Sequence, residues 1–140
     1  MVELMIVVVI AAILVSIAIP SYSSYVQRSR RTDAKSALLN LASLEERYYS
    51  TQNAYSINPA DFGYGGAWPV QVGGGYYQVT VTNITPAAIG APATYTIQAV
   101  PVPGGMQAAD TTCALFQSNS LGVQFAQDTG AVDQTTTCWK

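Results

Sequence analysis

Three residues in this chain have types and settings that could do chemistry: Glu3, Cys113 and Cys138. Glu3 opens an apolar run, Leu4 to Ile19, and no other charge occurs until Arg28. By insertion scales, a carboxylate at the centre of such a helix in lipid costs about 2.5–3.5 kcal/mol. An acid retained there is by default functional, and its counter-charge has to be found. The nearest cations, Arg28, Arg30 and Arg31, lie about 37 Å further along a helix at 1.5 Å per residue, so the partner is expected from another molecule. Cys113 and Cys138 enclose 24 residues. On a chain with an export-type segment they mature in an oxidising compartment and are expected to bridge. Two separate buried thiols fit such a chain less well. A bridge over a loop of this length is worth roughly 3–4 kcal/mol in the chain-entropy model.

Enzymatic chemistry is poorly supplied. The chain has no histidine, so it has no Ser-His or Cys-His pair for nucleophilic catalysis and too few ligands for a zinc site or a C-x-x-C-H haem attachment. The glycine runs lack a following Lys-Ser/Thr, which a phosphate cradle needs. Glu45 and Glu46 are adjacent, so on a helix they diverge by about 100° and cannot face each other as an acid/base pair. Asp128-Thr129-Gly130 with Asp133 lacks EF-hand spacing and the closing Glu, and reads as a polar turn. Asn83-Ile84-Thr85 fits a sequon of the kind that occurs by chance. Tyr22, Tyr25, Tyr48, Tyr49 and Tyr55 could line a path for charge, but packing and interfacial anchoring account for them more simply. The expectation is a non-enzyme with no cofactor and no metal.

The elements that must position these residues follow from hydropathy. One helix is expected from the N-terminus to about Thr51, apolar all round at first. The run lacks a basic stretch before it and a small-x-small site after it, so it is not read as a cleaved signal. Met1 and Val2 extend it towards membrane-spanning length. Pro20, with Ser21, Ser23 and Ser24, softens one turn. Beyond Tyr25 the helix becomes amphipathic: Ala34, Ala37, Leu38, Leu41, Leu44 and Tyr48 form one stripe, and Asp33, Lys35, Asn40, Glu46 and Arg47 lie opposite. Residues 52–75, crowded with Gly, Pro, Asn and Asp, read as a connecting loop. Residues 76–82 and 95–100 alternate with period two, and Ala114–Gln117 and Gly122–Ala126 bracket a hairpin turn. The expected fold is α+β: a long N-terminal α-helix, apolar in its first half and amphipathic in its second, packed on a four-stranded antiparallel β-sheet, with a C-terminal disulfide loop. The chain divides into an anchor half-helix (1–27) and a head (28–140), the head comprising helix 28–51, loop 52–75, sheet 76–126 and the bridged region 113–138.

Charge narrows the partners. From Thr32 onward three cations face seven acids, a net of −4. Nucleic-acid binding needs clustered Lys and Arg, so none is expected. Arg28-Ser29-Arg30-Arg31 reads as a solvated interfacial belt, although a small basic patch could still form in the fold.

Residues Met1 to Tyr25 resemble the N-terminus of type IV pilins. The family's motif F-T-L-I-E-L-M-I-V-V-x-I-x-x-I-L-x-x-I-A-I-P-x-Y-x-x-Y takes Met1, Val2, Glu3 and Leu4 at L-I-E-L and Pro20, Tyr22 and Tyr25 at its later P, Y and Y. The likeness continues more loosely through Arg30–Ala34 and Leu44–Tyr49, where Glu46-Arg47-Tyr48-Tyr49 followed by Asn53-Ala54-Tyr55 resembles an E-R-Y-Y subgroup. Ala12 stands where many members carry glycine. The resemblance implies a leader peptide, a cleavage glycine and two mature residues ahead of Met1, beginning with a phenylalanine that the family methylates. It implies a structural subunit of a type IV pilus, held in the inner membrane as a monomer and polymerised with identical subunits into a surface filament for adhesion, motility or DNA uptake. Prepilin peptidase and the pilus assembly machinery are the implied handlers. Glu3 would pair with the N-terminal amine of a neighbouring subunit, Pro20 would allow a bend on assembly, and Cys113–Cys138 would bound the exposed C-terminal loop. The competing readings are a minor or tip pilin acting as a binding module, including a DNA-uptake receptor, a pseudopilin of a type II secretion system, and a plain membrane-anchored periplasmic domain, which leaves Glu3 unexplained.

Overall fold

The computed structural model describes residues 2–140; Met1, the first residue of the pilin-like motif, lies outside the described residues. Helix α1 runs unbroken from Val2 to Gln52, about 76 Å at 1.5 Å per residue. Its two halves differ as their sequences require. Every residue from Val2 to Tyr25 is exposed, whereas Ala34, Leu38, Leu41 and Glu45 are buried at spacings of three and four. The expected stripe is therefore present, with Ala37, Leu44 and Tyr48 at its margins. The helix continues through Pro20 without interruption. There the hydroxyls of Ser23 and Ser24 donate to the carbonyls of Pro20 and Ser21.

The sheet has five strands, not the four expected: β1 (Val70–Val72), β2 (Tyr77–Thr85), β3 (Thr94–Pro101), β4 (Leu115–Asn119) and β5 (Gln124–Gln127). They form an antiparallel meander in chain order. The extra strand, β1, lies inside the segment read as a loop. It is three residues long, too short to show alternation, and gains its structure by pairing Val70, Gln71 and Val72 with Val79, Gln78 and Tyr77. That segment also contains a short 3-10 turn, Pro59–Phe62, capped by the Asn58 side chain.

One face of the sheet covers the helical stripe. Tyr77, Val79 and Val81 of β2, Tyr95, Ile97 and Ala99 of β3, Phe116 of β4 and Ala126 of β5 are buried against Ala34, Leu38 and Leu41. The period-two alternation of β2 and β3 directs their other residues away from the helix. Truncating a core residue such as Leu38 to Ala should cost about 2–5 kcal/mol. Where the 52–75 segment crosses α1, Gly73 has a positive φ of 56°, and a Cβ there would come within 2.6 Å of the Asp33 Cβ. Only glycine allows this close approach.

Candidate assembly and surface site

Glu3 lies in the first turn of α1, where a carboxylate complements the helix dipole. It is exposed, as are all its apolar neighbours. Val2, Leu4 and Met5 are 68–72 % exposed, and Ile17 and Ile19 are above 60 %. An 18-residue window of this helix has a mean hydropathy of 3.0. This surface cannot persist in water and needs lipid or other helices. Tyr22 and Tyr25, each 71 % exposed, follow it, as in an interfacial aromatic belt. Among the described residues of one chain, the tyrosines do not form one continuous stack. Tyr49 stacks on Tyr55, and Tyr55 meets Tyr95 edge-on, but Tyr22 and Tyr25 lie at least 23 residues down the helix from Tyr48.

The foot of the head is fixed by a buried polar network that sequence reasoning did not find. Arg31 donates twice to Asp110, through Nε at 2.7 Å and Nη2 at 2.8 Å. Asp110 also accepts from Gln107 Nε2 and from the Cys113 backbone N–H. Gln107 in turn donates to the Gln27 carbonyl on α1. The helix is thus tied directly to the start of the bridged region. The Asp110 hydrogen bonds hold the Arg31 guanidinium above its ordinary range. Arg30 lies 4.2 Å above the Tyr76 ring centroid, a cation–π contact.

Cys113 and Cys138 are bridged, with their Cα atoms 5.9 Å apart. The bridge and the adjoining Trp139 are two anchors for the tail between the cysteines. Both anchors are present: the Trp139 Nε1 donates to the Phe125 carbonyl and its ring packs edge-on against Phe116. The tail is also tied to β5 by backbone and side-chain bonds. The Gln134 N–H donates to the Ala126 carbonyl, and the Ala126 N–H donates to the Thr135 hydroxyl. Asp128 accepts from the Gly130 and Val132 N–H groups, and Asp133 accepts from Thr135. These acids serve as turn caps, which favours the polar-turn reading over a calcium loop. No group of three or more potential metal ligands occurs among the described residues.

A second buried acid is Glu45, one of two adjacent glutamates in the sequence. Its side chain is fully buried. One carboxylate oxygen accepts from the Ser56 N–H at 3.1 Å, and the other has no partner. Burial pushes its pKa up to about 7, and the nearby charges of Glu46 and Asp61 add to this. In the basic belt Arg31 pairs with Asp110, and Arg28, Arg31, Lys35 and Lys140 are among the residues lining a cavity of about 370 Å³ between α1 and the C-terminal turn.

An exposed apolar half-helix with an acid in its first turn, continuous with a helix cradled by a meander sheet and a C-terminal bridge, is the arrangement that the resemblance to type IV pilins implies. A family model described as "Type IV minor pilin ComP, DNA uptake sequence receptor" matches residues 20–117. The chain belongs to this type IV minor pilin family. A search of curated proteins gives no match. The matched stretch covers the second half of α1 and the sheet through β4, so the membership rests on the head, and the N-terminal motif supports it independently. The part of α1 that projects from the head is apolar and exposed, and it fits a membrane anchor. The finer likeness to an E-R-Y-Y subgroup remains with residues 46–49 alone.

Proposed function

We propose that this pilin is a minor subunit of a type IV pilus, entering the filament by transferring its half-helix from lipid to a core of neighbouring pilin helices. The observation that supports this most directly is the unbroken exposure of Val2 to Tyr25 beside a head whose own core is complete. Apolar surface of this extent stays out of water in both settings. Glu3 meets a neighbour's N-terminal amine in the core, where the pair sets register more than it adds stability. Heterologous contacts that do not close generate a helical fibre. Membership of a minor-pilin family favours a mixed filament, with other pilins as neighbours, over one built from this chain alone. It also favours the pilus over a secretion pseudopilin. The handlers are the pilus assembly machinery and a prepilin peptidase.

The family description adds a receptor for DNA. In this chain the head, residues 28–140, carries seven acids against six cations, without the excess of Lys and Arg that nucleic-acid binding draws on, and we read the subunit role without a nucleic-acid ligand. A DNA receptor would show retardation of duplex fragments with a steep salt dependence. The test of the subunit role is mass spectrometry of filaments sheared from cells and purified. The chain should be present at a small molar ratio to a major pilin. Its absence from filaments, with the protein still in the membrane, would overturn the proposal.

A further inference from the structure

The foot of the head carries an apolar turn that its own chain leaves uncovered. From Phe62 to Ala109 the chain has no charged residue, and the last part of this stretch, residues 102–109, follows β3. Val26 and Gln27 are the first residues of α1 that the head partly covers, and the Gln107 amide reaches the Gln27 carbonyl at 3.2 Å. The short 3-10 turn Met106–Ala109 therefore sits at the end of the head nearest the anchor. It is firmly held. Gln107 is buried and also donates to Asp110. The Gly105 N–H donates to the Val102 carbonyl, and the Val102 N–H donates to the Tyr76 carbonyl. This frame presents Pro103, Gly104, Met106, Ala108 and Ala109 outward, all of them exposed, with Met106 at 72 %. The next acid in sequence, Asp110, is buried and paired with Arg31.

Gln27 lies about 38 Å beyond Val2 at 1.5 Å per residue. A hydrocarbon core of about 30 Å makes a bilayer of about 40–45 Å once both headgroup layers are added. With Val2 at one edge of the core, the far headgroup layer begins near Tyr22 and ends at about 35–38 Å. A helix tilt of about 20° brings Gln27 to about 35 Å above that edge, inside the layer. Helical side chains lean towards the N-terminus. The Arg30 guanidinium lies over the Tyr76 ring and meets the Met106 sulfur at 3.6 Å, which keeps the sulfur at the same foot. An Arg stem, a Tyr ring and a flexible thioether all suit a boundary where apolar atoms face lipid and polar ends stay wet. We propose that the turn Met106–Ala109 rests on the bilayer while the subunit is anchored, with Met106 dipped into the headgroup layer, so that the membrane fixes which way the head faces before assembly. The turn adjoins the half-helix at Gln27, so the lipid that covers one reaches the other. A second protein is a poorer occupant of the turn alone, because five small exposed residues fall well short of the roughly 1,000 Å² that a specific protein interface buries. The proposal rests on the half-helix acting as a membrane anchor.

The test uses the full chain at one copy per phosphatidylcholine nanodisc, with a fluorophore on Met106→Cys or, separately, on Ala108→Cys. Ile89→Cys is the control, since Ile89 is fully exposed in the loop that joins the ends of β2 and β3 opposite the foot. A phosphatidylcholine spin-labelled near the headgroup should remove most of the emission at positions 106 and 108 and leave position 89 near its starting value. Iodide in the water should do the reverse. An unchanged urea midpoint in uncharged detergent confirms that each labelled chain is folded. Emission at 106 and 108 that follows iodide and ignores the spin-labelled lipid, as at 89, would overturn the proposal. Lipid quenching that appears only with several chains per disc would also overturn it, because a second copy would then be the occupant. Carbonate washing of phosphatidylcholine vesicles separates the two claims. A chain that washes off has lost the anchor reading and the foot contact with it, whereas a chain that stays but shows an iodide-accessible foot has lost only the foot contact.

Discussion

Glu45 gives this fold a pH dependence that a single substitution should remove. Its carboxyl is buried between α1 and the following loop, with one oxygen held by Ser56 and the other unpaired. Its pKa is pushed up from 4.5 to about 7. A carboxyl with a raised folded-state pKa costs nothing below its unfolded value, where both states are protonated. The cost grows as pH rises between about 4.5 and 7 and is constant above that. At 1.36 kcal/mol per unit, the penalty reaches about 3 kcal/mol. Glu45→Gln mimics the neutral acid, with its carbonyl accepting from Ser56 and its amide at the unpaired position. Urea unfolding of the full chain in uncharged detergent, followed by tryptophan fluorescence, measures the effect. The variant should match the wild type near pH 4 and exceed it by about 3 kcal/mol at pH 8, with the gap opening between pH 4.5 and 7. Other acids contribute equally to both proteins and cancel in the difference. A constant gap across that range would show that the carboxyl is not buried in its charged form, and the reasoning would fail.

Three further outcomes follow from the geometry. Asp110→Ala strands a largely buried Arg31 and releases Gln107 and the Cys113 N–H, so stability should fall by about 3–5 kcal/mol; a loss below 1 kcal/mol in urea titration would mean the network is not coupled to the core. Cys113→Ser should cost a few kcal/mol and speed proteolysis of residues 127–137, although the bonds to β5 keep the tail partly docked; an unchanged cleavage rate would mean those bonds suffice. Helix α1 is continuous through Pro20, and a bend or unwinding near residues 12–21 is expected to be larger in the filament than in the monomer; a filament map with a continuous, straight helix there would exclude it.

Much of the architecture was legible because it repeats. The stripe from Ala34 to Tyr48 and the alternation in β2 and β3 show helical and strand periods directly. The Cys113–Cys138 bridge followed from count and compartment. Strand β1 was not legible: three residues beside Gly73-Gly74-Gly75 carry no period, and only pairing with β2 defines them. The burial of Glu45 was hidden because a Glu-Glu pair at the edge of a polar face reads as solvated. It follows the stripe's own spacing, four residues after Leu41, and that spacing was the available signal. The Arg31–Asp110 pair and the Lys35–Lys140 contact join residues 79 and 105 positions apart. No local pattern reports such contacts. The basic belt was visible in sequence, but the pairing of Arg31 with Asp110 was not.

The central claim is that Glu3 serves assembly and not anchoring. The direct measurement is recovery of a Glu3→Ala chain from purified filaments and from carbonate-washed membranes of the same cells. The account predicts wild-type amounts in the membrane and little or none in the filaments. Wild-type incorporation into filaments would contradict it.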